Sequence, residues 1–164
     1  VGSYTLLSGI NHNINLVILG DGRDKSRIQE QINEKGLSYK FYFLGSYPPE
    51  EMPHYFACAD ALLITLKKAD IFSYTIPGKL QSYLACGKPI IGALDGIGKK
   101  IIEESKSGLC AHAENAIDLA NNIFKLHNST KQIKEDYSKN AIRYFKHNFA
   151  KEKLLSDLEK ILEK

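Results

Sequence analysis

The stretch TIPGKLQSYLACGKPIIG, residues 75–92, holds a helix start, a helix stop and a buried strand in one short run. Pro77 suits the first helical position, where a missing N–H costs nothing, and Gly87 suits the left-handed residue that closes a helix. Leu80, Tyr83 and Leu84 supply an apolar stripe between them. Lys79 falls in the first turn, where the helix dipole is already positive and a cation is disfavoured by up to about 1 kcal/mol. An anionic ligand reverses that sign, so the segment reads as a phosphate-facing loop.

Working outward, apolar runs alternate with helical spacing, the pattern of a parallel sheet with helices on both faces. Strands are expected at Asn15–Leu19, Lys40–Leu44, Ala61–Thr65 and Pro89–Ala93, with a short fifth at Leu109–Ala111. Helical spacing covers Lys25–Glu34, Pro49–Ala57 and Gln81–Ala85. After Glu114 the chain reads as helices only, at Asn115–Leu126, Lys131–Tyr144 and Lys151–Leu162. The last has Leu154, Leu155, Leu158, Ile161 and Leu162 on one stripe.

A chain of 164 residues fits one domain, able to bury roughly 70% of its unfolded surface without metals or disulfides. The longest apolar run, Ala61–Leu66, is far short of a membrane span. The formal charge is +3 and the lysines alternate with glutamates, so nucleic acid is a poor partner for this chain. Three cysteines, Cys58, Cys86 and Cys110, lack paired spacing; this points to a reducing compartment and to small buried hydrophobes. There is no Asp-x-Asp pair, no histidine pair at helical spacing and no Gly-x-Ser-x-Gly elbow, which argues against a metal site and against a serine hydrolase. His12, His54, His112, His127 and His147 read as surface or core-edge residues.

In a parallel sheet, ligands gather beyond the carboxyl ends of the strands. That rule selects Gly20-Asp21-Gly22-Arg23, Gly45-Ser46-Tyr47, the run from Thr65 to Gly78, and the run from Gly92 to Lys99. The first is either a plain strand-to-helix turn or a close approach to a ligand. A dinucleotide fingerprint would need glycine at Lys25 and an acid near Tyr42, so a nicotinamide enzyme is rejected.

The order of these segments resembles the donor-binding, C-terminal half of retaining, nucleotide-sugar-dependent glycosyltransferases of the group 1, family 4 type, which share the two-domain GT-B architecture. Pro77-Gly78-Lys79 and Tyr83-Leu84-Ala85-Cys86-Gly87-Lys88-Pro89 resemble the Pro-Ser-Lys and Glu-Ala-Met-Ala-Cys-Gly-Lys-Pro segments of bacterial members that build surface polysaccharides. The likeness continues through Leu16–Gly22, Phe43-Leu44-Gly45 and Gly108-Leu109, and so covers nearly the whole chain.

The resemblance implies an α/β, Rossmann-like parallel sheet with flanking helices and a C-terminal helical segment. It implies one nucleotide-sugar-binding domain over residues 1–164 that lacks the acceptor-binding domain and its own first strand, with Tyr4–Ile10 the remainder of a first helix. The chain opens on Val1, and we expect it to be a piece of a longer protein. The implied reaction is transfer of a sugar from a nucleotide sugar, with a UDP-sugar as the implied donor, to a polysaccharide or glycolipid acceptor with retention, by a hexosyltransferase inactive as this fragment. The nucleotide sugar is a substrate; no cofactor or metal is expected. The implied partners are the donor, the missing acceptor domain and, through Lys125, Lys131, Lys134 and Lys139, an anionic membrane surface, although an ordinary solvated helix face also accounts for those lysines. The implied location is the cytoplasm, at the inner face of its membrane.

Residue by residue, the resemblance places Gly20, Gly22 and Arg23 beside the donor and Ser46 and Tyr47 near the base. It places Ile76, Gly78 and Lys79 at the diphosphate, and Gly96, Ile97 and Gly98 toward the sugar. Tyr74 and Ser82 occupy the positions of two glutamates in a Glu-x7-Glu arrangement, and Ile97 also stands where relatives carry an acid. Lys79 and Tyr74 are the candidate catalytic residues. Two alternatives stay open: a sugar-nucleotide epimerase of the same architecture, and a non-catalytic module that binds nucleotide sugars.

Overall fold

The computed structural model describes residues 13–163, so the reading of Tyr4–Ile10 lies outside the described residues. Two units divide at His54/Tyr55, and each is taken by itself.

Unit 1 pairs β1 (Leu16–Leu19) with β2 (Phe41–Gly45) in parallel, Leu16 opposite Phe41. Between them runs α1 (Lys25–Glu34). A single helix over one face explains which side chains are inside: Leu16, Ile18, Phe41 and Phe43 meet Ile28, Ile32 and Leu37. Alternation along a strand turns their neighbours the other way. Val17, Tyr42 and Leu44 are accordingly exposed. The Leu37 N–H closes α1 by donating to the Ile32 carbonyl at 3.0 Å, which brings Leu37 into the small core. A 3₁₀ turn, Pro49–Glu51, leads into α2 (Met52–Cys58), within which the division falls.

Unit 2 holds a three-stranded parallel sheet in the order β3 (Leu62–Thr65), β4 (Ile90–Ala93), β5 (Gly108–Ala111). The fifth strand is therefore present, and Ile90 opposes both Leu62 and Gly108. All four residues of β4 are buried. Its side chains alternate between two cores: Ile90 joins Leu62, Ile64, Leu80, Leu84, Ile102 and Ala141, while Ile91 and Ala93 join Ala111, Leu119 and Leu126. The helices that supply these cores are α4 (Gly78–Cys86), α5 (Gly96–Ser105), α6 (Ala116–His127) and α7 (Lys131–Asn148). Asn115 and Thr130 cap α6 and α7 by accepting the N–H groups of Asp118 and Ile133, as their residue types favour. The final helix, α8 (Lys151–Leu162), leaves Leu154, Leu155, Leu158, Ile161 and Leu162 exposed.

The α/β class with parallel sheets and flanking helices stands, with differences of detail. The strands form two sheets rather than one: the ladder of β1 is with β2, and that of β3 is with β4. The run from Gly92 to Lys99 is not a loop. Gly92 and Ala93 belong to β4, and α5 begins at Gly96. Glycines at 96 and 98 each weaken helix propensity by about 1 kcal/mol, but burial of Ile101 and Ile102 overrides that local preference. The run from Thr65 to Gly78 likewise contains a helical turn, α3 (Asp70–Ser73). Pro77 is the residue before α4, not its first: its φ of −62° suits a helix but its ψ of 127° is extended. Gly87 does close α4 in the left-handed region, φ 63°, and a Cβ there would lie 2.5 Å from Ile142 Cδ1 of α7. Cys58 is exposed at the end of α2, while Cys86 and Cys110 are half-buried. Burial is heavier at Cys110, where it pushes the thiol up to about 11.

Candidate functional site

In unit 1 the two strand-end turns touch. Gly20 N–H donates to the Gly45 carbonyl at 2.6 Å, beyond a register shift between Ile18 and Leu19. Asp21 Oδ1 accepts the Gly22 N–H at 2.8 Å and lies 3.5 Å from Lys25 Nζ. The Gly22 N–H, followed by the charge of Lys25, holds its carboxyl below the usual range. Arg23, Ser46 and Tyr47 are exposed on these turns. A side chain added at Gly20, Gly22 or Gly45 would meet nothing within 4 Å, so the space outside the turns is open to a ligand.

In unit 2 the segments after β3 and β4 converge. Gly96, at φ +65°, sits so close to α3 that a Cβ would lie 2.1 Å from the Ser73 carbonyl oxygen. A Cβ at Gly98 would lie 3.3 Å from Pro77 Cδ. The start of α5 therefore abuts both α3 and the entry to α4. Along this edge Tyr74 is 79% exposed, and Ile71, Phe72, Ile76 and Ile97 are exposed as well. The result is an apolar, aromatic rim on which a ring or a sugar face can pack. Gly78 and Lys79 open α4, with both residues exposed. Ser82 follows Lys79 by three residues and is exposed too, which puts the ammonium-bearing and hydroxyl-bearing residues on one helix face. Thus Tyr74, Ile76, Gly78, Lys79, Gly96, Ile97 and Gly98 share one edge of unit 2, and Ser82 lies one turn along α4.

A further group on that edge joins Asp95 and Lys99, from the run selected in the sequence, to His112, which was not. Asp95 Oδ1 is 2.6 Å from His112 Nδ1, and His112 Nε2 is 3.0 Å from Lys99 Nζ. Asp95 holds the N-cap position of α5 yet makes no side-chain cap. Its carboxylate instead takes the His112 ring and the Ala113 N–H, and these contacts, His112 foremost, hold its carboxyl below the usual range. Next to it Glu114, at φ 63°, accepts the Lys68 N–H at 3.3 Å and links the ends of β5 and β3. His112 is a surface residue, 68% exposed at its side chain, and is engaged at both ring nitrogens. The signal available was position: His112 directly follows β5, and the rule that selected four strand ends selects this one as well.

Among the described residues no group of three or more His, Cys, Asp or Glu side chains is placed to hold a metal ion. No described helix is long and apolar enough to cross a membrane. A shallow hollow lined by Glu104, Asn140, Arg143, Tyr144 and His147 contains none of the strand-end residues.

The sequence profile of the family described as glycosyl transferases group 1 matches residues 3–144. The chain belongs to the group 1 glycosyl transferases. No curated protein matches it by sequence search. Among solved structures, Anabaena HepE in complex with UDP-glucose is similar with a TM-score of 0.81 at 19% identity, over 98% of this chain and 43% of that one. Sucrose-phosphate synthase from Thermosynechococcus elongatus is similar at 0.76 and 20% identity, over 99% and 41%. The C-terminal domain of a glycosyl transferase group 1 family protein, LpcC, from Francisella tularensis is similar at 0.72 and 15% identity, over 92% and 77%. This group 1 chain therefore spans less than half of the first two. At such identities the likeness establishes the fold, α/β with parallel sheets.

Proposed function

We propose that this group 1 chain is the C-terminal, donor-binding domain of a retaining glycosyltransferase that moves a hexose from a UDP-sugar to a bacterial polysaccharide or glycolipid acceptor. The observation that carries the reading is the convergence in unit 2 of the Lys79 helix start with Gly96–Gly98, the first residues of α5, beyond the carboxyl ends of parallel strands. A sugar diphosphate is anionic and becomes more so as the leaving group departs, so fixed donors aimed at its oxygens favour the transition state. Lys79 and the N–H groups around Ile76 and Gly78 are assigned to that charge. Tyr74 and Ile97 pack against the sugar, and Ser82 takes a ribose hydroxyl. In unit 1, Gly20, Gly22, Arg23, Ser46 and Tyr47 are assigned to the nucleotide. The nucleotide sugar is substrate, and the lysine supplies positive charge without a metal or other cofactor. The free cysteines suit a reducing cytoplasm. The acceptor domain of a longer parent completes the reaction, and the inner membrane surface is the proposed place of work. The chain alone binds nucleotide without turnover.

That HepE was solved with UDP-glucose supports the choice of donor. A second reading has its own support: Tyr74, Ser82 and Ile97 stand where acids were expected, which favours a module that binds nucleotide sugars without catalysing transfer.

An amide-shift titration of the chain with UDP, GDP and ADP tests the proposal. Shifts centred on residues 20–23, 45–47, 74–82 and 96–98 and reaching Lys99 and His112 beside them, strongest with UDP, are expected. Lys79→Met should weaken UDP binding by about tenfold or more, the effect of losing one charge-assisted hydrogen bond. Shifts elsewhere, or an unchanged affinity in that variant, would overturn the assignment. Nucleotide release from a donor by the longer parent separates transferase from binding module.

A further inference from the structure

The contacts of the cluster Asp95–His112–Lys99 select one tautomer of the histidine ring. A lysine ammonium has three donors and no acceptor, so His112 Nε2, 3.0 Å away, accepts. The ring proton then sits on Nδ1, where it faces the Asp95 carboxylate at 2.6 Å. Each contact requires the tautomer that the other requires. In the neutral ring both contacts are made at once by the tautomer with its proton on Nδ1.

Every element around the ring contributes a group. Asp95 comes from the end of β4, and Lys99 and Glu103 come from α5, with Glu103 Oε1 3.9 Å from Lys99 Nζ. Glu114 and Lys68 meet beside them, the Lys68 backbone N–H donating to the carboxylate. Lys99 is only 19% exposed at its side chain. Among the described residues its ammonium has one hydrogen-bond acceptor, His112, and one ion-pair partner, Glu103. Two of its three donors are left for another acceptor. The residue follows Gly98 directly, and Gly98 packs against Pro77 at the entry to α4.

We infer that His112 is a positioning residue that holds Lys99 as a second cation for the diphosphate of the nucleotide donor, complementary to Lys79. The inference rests on the donor-site reading above and adds to it a fixed ammonium on α5 and the residue that fixes it. Preorganisation is the advantage: a lysine free to sample its rotamers spends affinity on being ordered by the ligand, whereas one already tethered does not.

The experiment uses the chain with UDP and with uridine, which lacks the diphosphate, measured by titration calorimetry alongside imidazole nitrogen NMR. Where the wild-type ring is neutral, its proton should sit on Nδ1. Lys99→Met should weaken UDP about tenfold or more and leave uridine unchanged. His112→Ala should weaken UDP by about three- to tenfold, again sparing uridine, because the ammonium remains but loses its tether. His112→Gln, whose amide oxygen can accept from Lys99, should recover most of that loss.

A ring protonated on Nε2 alone would overturn the inference. So would equal losses for UDP and uridine, which mark general destabilisation, or a Lys99→Met variant that keeps its UDP affinity while Lys79→Met loses it. In that last case the donor-site reading survives. If the wild-type chain binds no UDP, the reading itself fails and the role given to Lys99 goes with it.

Discussion

The two sheets are made from the same kind of short apolar strand, yet they are buried differently. In unit 2 every residue of β4 is inside, because helices supply a core on each face. Among the described residues of unit 1, one helix covers one face, and Val17, Tyr42 and Leu44 are exposed on the other. An apolar strand therefore declares that both its faces suit burial. It does not declare which element covers them. Among the described residues, unit 1 has a core of three buried residues, Ile32, Leu37 and Phe41. Two strands with so small a core are close to the lower limit of independent stability.

Core truncation should expose that contrast most strongly. Leu84→Ala, at a site with no exposure, is expected to cost unit 2 about 2–5 kcal/mol. Ile32→Ala should cost a similar amount but melt residues 13–54 while the three-stranded sheet persists. A denaturant series followed residue by residue checks this, and simultaneous loss of both sheets in the two variants would erase the distinction. In the unmutated chain, native-state hydrogen exchange should show the amides of β1 and β2 exchanging about a hundredfold faster than those of β4, because local opening draws on the smaller core. Comparable protection would mean that unit 1 is stabilised by more than its own side chains.

The smallest effect concerns acid. Both units fold an aspartate into a strand-end turn, Asp21 in one and Asp95 in the other, each with its carboxyl below the ordinary value of 3.8. A depressed carboxyl contributes stability that is fully present above its unfolded value and is lost as pH falls through the folded one. Asp95→Asn should therefore lower the melting temperature of unit 2 at neutral pH, and the two curves should converge below about pH 4. Asp21 is fully solvated, and Asp21→Asn should do less. Melting followed from neutral to strongly acid solution distinguishes the two, and a larger effect at Asp21 would reverse the comparison.

How much of this was legible followed from how local the cause was. Lys25–Glu34 and Lys151–Leu162 match the expected helices residue for residue, because their spacing of apolar residues is uninterrupted. Helix α5 was missed because its first turn contains two glycines, and the packing of Ile101 and Ile102 that compensates lies across the unit. The edge formed by Tyr74, Ile76, Gly78, Lys79 and Gly96–Gly98 was legible as a set of strand ends, since parallel topology alone gathers such segments. His112 was not, because its significance depends on a carboxylate seventeen positions earlier and an ammonium thirteen positions earlier in the chain. No spacing rule links a strand end to the first turn of the preceding helix at side-chain precision.

The contact between Gly96 and Ser73 leaves no room for an atom between two backbones. One of those backbones carries Asp95 toward His112; the other leads directly to Tyr74. Any residue with a side chain at position 96 would have to part the two, and the Asp95 and Tyr74 segments with them, so this glycine is what lets both stand on one edge.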